Sequence, residues 1–226
     1  MNKFLTGLLV LGASAHAQTF RPAQPDEVRP GMAYNVNQPT VEDDQLFAGK
    51  HVAILTAPGV QDIELTFPYE YLRARGAEIE IFAPEWVGSE VLLVDYVKPT
   101  TFAKVDGTLK QARERSRFFD LVLVPGGAWA SQVLRKDADI MAILQERSAA
   151  EAPIAIICSA AQVLIDSGLA QGRRVTGTPS VKLDLVNAGG IYVDEPAVLQ
   201  GSLLMSRSPN DLEAFVGGIK TLLMRQ

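Results

Sequence analysis

The stretch PIAIICSAAQVLIDSGLAQGRRVTG, residues 153–177, restricts the fold more than any other part of this chain. Ile154 to Ile157 is an unbroken apolar run of the length of a strand buried on both faces, as in a parallel sheet covered by helices. The chain then turns at Cys158 and Ser159. It continues as Ala160, Ala161, Val163, Leu164 and Leu169 at helical spacing, punctuated by Gly168 and Gly172. Cys158 is the sole cysteine of the 226 residues. At a helix start the backbone N–H groups lack partners and the dipole is positive, which favours a thiolate. Comparable cysteines have pKa values lowered from about 8.5 to roughly 3.5–7.5. A strand-to-helix turn is also how hydrolases expose a nucleophile. The competing reading is a small buried side chain that fills space.

The rest of residues 50–226 repeats the alternation and predicts one domain. Strands are expected at His51–Thr56, Glu78–Ala83, Val91–Val97 (in a hairpin reaching Val105), Asp120–Val124, Arg174–Thr176, Ile191–Val193 and Ser202–Met205. Helices are expected at Asp62–Arg75, Leu109–Arg117, Asp139–Ala150, Val181–Ala188 and Asn210–Met224, several with an apolar stripe on one side. Short buried strands alternating with helices define an α/β chain with a mostly parallel sheet covered on both faces.

Residues 1–17 carry Lys3, an apolar run from Phe4 to Gly12, and Ala15 and Ala17 before Gln18. That is the pattern of a cleaved secretory signal, and it predicts a periplasmic or secreted protein without stable membrane insertion. Residues 18–49 hold Pro22, Pro25, Pro30 and Pro39 among polar residues without apolar periodicity, and read as an extended arm. With 26 acidic against 21 basic side chains and no basic cluster, nucleic acid is not an expected partner. A lone cysteine makes no internal disulfide; in an exported protein it is hidden, paired between chains or kept for reactivity.

Ligands of open α/β sheets bind at the carboxyl ends of the strands. Three elements fall on that edge: Cys158, the pair Gly126-Gly127 after a buried strand, and Glu64 in the first turn of the first helix. The glycines let backbone N–H groups approach a reacting oxygen as an oxyanion hole. Their plainer readings are an ordinary turn and, for Glu64, a carboxylate complementing a helix dipole.

From Ile54 onward the chain resembles the ThiJ/PfpI superfamily, which includes the Parkinsonism-associated deglycase and PfpI-type intracellular proteases. The matching residues are Asp62-Ile63-Glu64-Leu65 with Pro68-Tyr69, Asp120 with Val124-Pro125-Gly126-Gly127, and Ala155-Ile156-Ile157-Cys158. Further on come the runs 184–190 (DLVNAGG), 193–196 (VDEP) and 206–212 (SRSPNDL). The resemblance implies a flavodoxin-like three-layer sandwich, similar to class I glutamine amidotransferases, in a homodimer or larger assembly. It also implies Cys158 as the reactive residue and Glu64 as its hydrogen-bonded carboxyl group, with Gly126, Gly127 and Ser159 as oxyanion or binding residues. No cofactor and no metal are implied.

The departures from that pattern are informative. PfpI-type members carry a histidine directly after the cysteine, where this chain has Ser159; other branches place one where Gly177-Thr178-Pro179 stand. The two histidines present are His16, in the signal, and His51, at the start of the first strand and so at the wrong end. A cysteine–histidine peptidase mechanism is therefore not expected. The constellation suits addition to a small electrophile such as an aldehyde, α-oxoaldehyde or isocyanide. It suits equally a cysteine that is reversibly oxidised, or a non-catalytic binding module.

Overall fold

The structure is a computed structural model and describes residue 34 and residues 36–225. The expected signal and the arm up to residue 33 lie outside the described residues. β1 (His51–Leu55) leads through a turn to the short β2 (Val60–Gln61) and straight into α1 (Asp62–Arg73). β3 (Glu78–Ala83), β4 (Glu90–Asp95), β5 (Lys98–Lys104), β6 (Gly107–Thr108), α2 (Leu109–Glu114) and β7 (Leu121–Val124) follow. α3 (Ala128–Leu134) and α4 (Ala138–Ala149) come before β8 (Ile154–Ile157), which is succeeded by α5 (Ala161–Asp166). The chain ends with β9 (Arg174–Val175), α6 (Lys182–Asn187), β10 (Ile191–Tyr192), β11 (Ala197–Gln200), β12 (Leu203–Ser206) and α7 (Leu212–Met224).

Seven strands form the main sheet in the order β11-β12-β8-β7-β1-β3-β6, all neighbours parallel except β11 and β12. Every residue of β7 and β8 is buried, which is why both are apolar throughout rather than alternating. Burying each such Ile, Leu or Val contributes roughly 1.5–3 kcal/mol. α1 and α7 pack together over one face, and α4 lies with α2 and α5 over the other, giving three layers. β2, β4 and β5 make a small separate sheet, with β2 parallel to β4 and β4 antiparallel to β5. Among the described residues no helix is long and apolar enough to cross a membrane.

The order of elements is the expected one; the two-residue strands β2 and β6 are additional, the strand expected at Val91–Val97 ends at Asp95, and three further differences stand out. α3 was not anticipated, because its seven residues AWASQVL are too short to display an apolar stripe. β11, four residues long and partly exposed at the sheet edge, is also additional, and it supplies the sheet's one antiparallel pair. The charged segment 109–117 is not one helix. α2 is held at its start by a capping box between Thr108 and Gln111, and a separate 3-10 turn follows at Ser116–Phe118.

Two buried arginines tie backbone carbonyls of separate segments together. Arg147 donates to the carbonyls of Pro153, Ser116 and Phe119, tying the starts of β7 and β8 to α4. Burial lowers its pKa to about 10, with the nearby Asp120 charge opposing. Arg75 donates to Tyr71 O at 3.0 Å and to the arm carbonyls of Pro39 and Thr40 at 3.0 and 2.8 Å, its guanidinium 4.0 Å from the Tyr71 ring centre. Asn37 N–H donates to Glu213 and Gln38 to Phe67 O, so residues 37–40 lie along α1 and α7.

Candidate active site

The register β1–β7–β8 aligns Ile54 with Leu123, and Leu123 with Ala155, so the three strands end side by side. Their continuations carry the candidate residues to one edge. β7 runs into Gly126-Gly127, β8 into Cys158, and β1 through β2 into α1 with Glu64 as its third residue. His51 sits at the far end of β1, where it faces Glu78 at 3.3 Å.

Cys158 has φ +62°, the left-handed region that non-glycine residues seldom occupy. Ile157, just before it, is still extended, and Cys158 opens a 3-10 turn (Cys158–Ala160), so the chain reverses sharply at the cysteine. A strained residue at a sharp strand-to-helix turn is the geometry of a nucleophile elbow. The α-helix that follows is only six residues long and begins three residues later, so little helix dipole reaches the sulfur.

Glu64 has no exposed surface. Its Oε2 accepts the Gly126 N–H at 2.9 Å. Oε1 is buried without an aligned hydrogen-bond partner, and the Cys158 thiol is the polar group beside the carboxyl. Burial raises the Glu64 pKa to about 7, against the opposing hydrogen bonds from Cys158 and Gly126. The expected low thiol pKa is overturned by the same surroundings. Burial first, then the charge of and hydrogen bond to Glu64, push Cys158 well above its ordinary range, while the Ser159 amide and hydroxyl pull it down. The thiol and the carboxyl therefore compete for one negative charge, and burial disfavours ionising both.

The glycines are required sterically. A Cβ on Gly126 would fall 2.6 Å from Glu64 Oε2 and 2.9 Å from Cys158 Cβ. On Gly127, at φ +107°, it would lie 2.5 Å from both Gln61 N and Gly59 O. Both amides expected as oxyanion donors have partners within the chain. The Gly126 amide is committed to Glu64, and the Gly127 amide donates to Ser159 Oγ at 3.0 Å. Ser159 in turn lies 2.9 Å from Ser131 Oγ, on the unanticipated α3.

A second group was also missed. Tyr96, at φ +59° in the β4–β5 turn, donates its N–H to Gln61 Oε1 at 3.0 Å. Gln61 Nε2 reaches Tyr34 Oη at 3.1 Å and Asp95 Oδ1 at 3.2 Å, and the Tyr34 hydroxyl donates to Asp95 at 3.3 Å. Burial and then the Asp95 charge raise the Tyr34 phenol far above its usual pKa. Burial and the charges of Cys158, Asp95 and Glu64 raise that of Tyr96. A cavity of about 310 Å³ between Tyr34, Asp62, Thr66, Asp95 and Thr100 adjoins this network. In sequence, Asp95 and Tyr96 read as part of the strand expected at Val91–Val97, which hides both the turn and what it overhangs. Among the described residues, no three His, Cys, Asp or Glu side chains are grouped so as to hold a metal ion.

A three-layer sandwich with a strained cysteine at the carboxyl edge and a buried glutamate beside it defines a class of cysteine-elbow α/β proteins with a flavodoxin-like fold. Within that class the chain belongs to the DJ-1/PfpI family, whose pattern matches residues 50–221. A deglycase of Pyrococcus horikoshii is 33% identical over 172 residues, covering 76% of this chain and 98% of that protein. YraA of Bacillus subtilis, named as a candidate cysteine protease, is 32% identical over 166 residues, covering 74% and 94%. Among solved structures, a two-domain Anabaena variabilis protein with DJ-1/ThiJ/PfpI-like and ferritin-like domains superposes with a TM-score of 0.71 at 31% identity, over 77% of this chain and 50% of that one. Drosophila melanogaster DJ-1beta superposes with a TM-score of 0.70 at 28% identity, over 78% and 91%.

Proposed function

We propose that this protein is a cysteine-dependent enzyme acting on a small electrophilic carbon, of the aldehyde, α-oxoaldehyde or isocyanide kind. The observation that carries the reading is Cys158 in the left-handed elbow with a fully buried Glu64 carboxyl beside it. With a carbonyl, the thiol proton passes to the Glu64 carboxylate and Sγ bonds to the carbonyl carbon. The C=O π pair moves to oxygen, and Glu64 returns the proton there. The S–H bond has then added across C=O, giving a hemithioacetal without redox change. Both glycine amides being engaged, the alkoxide takes its proton from Glu64 rather than resting on an oxyanion hole. The deglycase names of several relatives favour carbonyl chemistry, and the serine after the cysteine disfavours peptidase chemistry.

A panel of methylglyoxal, isocyanides and peptides tests this: turnover of a small electrophile, abolished in Cys158→Ala, is the expected outcome. A second reading is supported by the unpartnered Glu64 Oε1. When protonated it can donate to a Cys158 sulfinate, formed from the thiol with two equivalents of peroxide reduced to water. A stable sulfinate in mass spectrometry with no turnover on any substrate favours that reading.

Export and self-association belong to the same proposal. Residues 1–17 have the signal pattern, so the mature chain is expected to begin at Gln18 in the cell envelope or outside; intact mass decides it. A homodimer is the expected assembly by family resemblance and by the prevalence of two-fold pairs. Light scattering at micromolar concentration distinguishes it from a monomer.

A further inference from the structure

Ser131 and Ser159 form a hydroxyl pair whose direction can be worked out by counting protons. A serine hydroxyl has one proton to donate and two lone pairs to accept with. Ser159 Oγ accepts the Gly127 N–H at 3.0 Å and lies 2.9 Å from Ser131 Oγ. Ser131 has no exposed surface, and Ser159 is its hydroxyl's partner among the described residues. Were Ser159 the donor, the Ser131 proton would be buried without an acceptor, which costs about 1–3 kcal/mol. With Ser131 as donor, both lone pairs of Ser159 are filled by Gly127 N–H and Ser131 O–H. The remaining Ser159 proton is then engaged by neither partner, and Ser159 is joined to Cys158 in the elbow, where its hydroxyl and amide act to lower the thiol pKa. The pair is held rigidly, since the Ser131 N–H donates to Gly127 O at 2.9 Å in the first turn of α3.

We propose that Ser131 is a positioning residue for Cys158. Its hydroxyl, with the Gly127 amide, locks the Ser159 hydroxyl so that its proton is presented to the cysteine sulfur and supports the thiolate. Ser159 directly follows the cysteine, where the resemblance to PfpI-type proteins would place a histidine, and neither serine titrates. The inference deepens the reading of Cys158 as the reacting group and rests on that reading.

The test is the pH profile of iodoacetamide alkylation of the full-length protein, whose sole cysteine makes the signal unambiguous. In Ser131→Ala the midpoint is expected to rise, with alkylation below the midpoint slowed about three- to tenfold, the range of a weakened hydrogen bond to a charged group. Ser131→Thr, which keeps the hydroxyl, should retain the profile, whereas the isosteric Ser131→Val should lose it. Comparing those two removes any effect of shape, and thermal unfolding by circular dichroism checks each fold. Ser159→Ala should show at least the loss of Ser131→Ala, and the double variant should match Ser159→Ala alone, because Ser131 acts through Ser159. A wild-type profile in folded Ser131→Ala, equal profiles for the Thr and Val variants, or additive losses overturns the proposal. Alkylation reports on the thiol whether or not a substrate turns over. Absent turnover with these shifts intact therefore counts against the enzyme reading and leaves the role of the serine pair standing.

Discussion

The amide of Gly126 donates to Glu64 at 2.9 Å, and the same glycine has no room for a side chain, since a Cβ there would sit 2.6 Å from the Glu64 oxygen it binds. One residue thus both holds the buried carboxyl and leaves space for it. Gly126→Ala should displace Glu64 and lower stability by about 2 kcal/mol or more, as overpacking at a buried polar contact does. Urea unfolding measures it, and a change below about 0.5 kcal/mol would show that Glu64 has freedom the structure does not give it.

Glu64 makes stability depend on pH in a stated direction. Its folded pKa is about 7 against an ordinary 4.5, raised by burial. Its favourable contribution is therefore fully present below pH 4.5 and is lost as pH rises through 7. At about 1.4 kcal/mol per unit, the wild type should lose roughly 3 kcal/mol between pH 4.5 and 8 that Glu64→Gln does not lose. Parallel denaturation curves for the two proteins across that range would contradict the shift.

Backbone strain at Cys158 inverts a familiar ranking. Alanine usually stabilises relative to glycine, yet at φ +62° glycine is the unstrained residue. Cys158→Gly should be more stable than Cys158→Ala by about 1 kcal/mol. Melting temperatures of the two variants decide the matter.

The Tyr34–Asp95–Gln61 network holds the turn that carries Tyr96. In Gln61→Ala the Tyr96 amide loses its acceptor, and its hydrogen exchange should accelerate about tenfold, following the loss of about one hydrogen bond's free energy. Tyr34→Phe should produce a smaller increase at the same amide. Unchanged exchange in Gln61→Ala would mean that another contact orders the turn.

Arg147→Met should cost about 2 kcal/mol or more, because the Phe119 carbonyl loses its donor in the protein interior and those of Pro153 and Ser116 are each left with one backbone donor. The site should survive in the folded fraction, since Arg147 lies at the opposite end of the strands. A drop in thiol reactivity without a drop in stability would contradict that separation.

What the sequence reveals and what it hides divide along physical lines. The central strands are legible because burial on both faces demands the runs LVLV and IAII, whatever surrounds them. That Cys158 and Glu64 lie on one edge is legible because both stand at strand-to-helix junctions, where chain order alone predicts the carboxyl edge of the sheet. The ionisation of the thiol is not legible. A helix start argues for a low pKa, and only three-dimensional burial and the facing Glu64 carboxyl reverse the sign. Ser131 is hidden for another reason: it lies in a seven-residue helix without an apolar stripe, and its importance depends on a partner 28 positions away. Tyr96 is hidden because a tyrosine with positive φ contradicts the turn chemistry that sequence reading relies on.

The recognised family region begins at residue 50, but the folded unit does not. A chain trimmed to that boundary would leave the Arg75 guanidinium with the Tyr71 carbonyl and without its Pro39 and Thr40 acceptors. It would also remove Tyr34 from the turn that bears Tyr96, at the opposite end of the molecule from the cut. Shortening this protein for expression would therefore act on two distant places at once, loosening the α1 face and altering the rim of the cysteine edge. Thiol reactivity measured on such a fragment would describe a differently bordered cysteine.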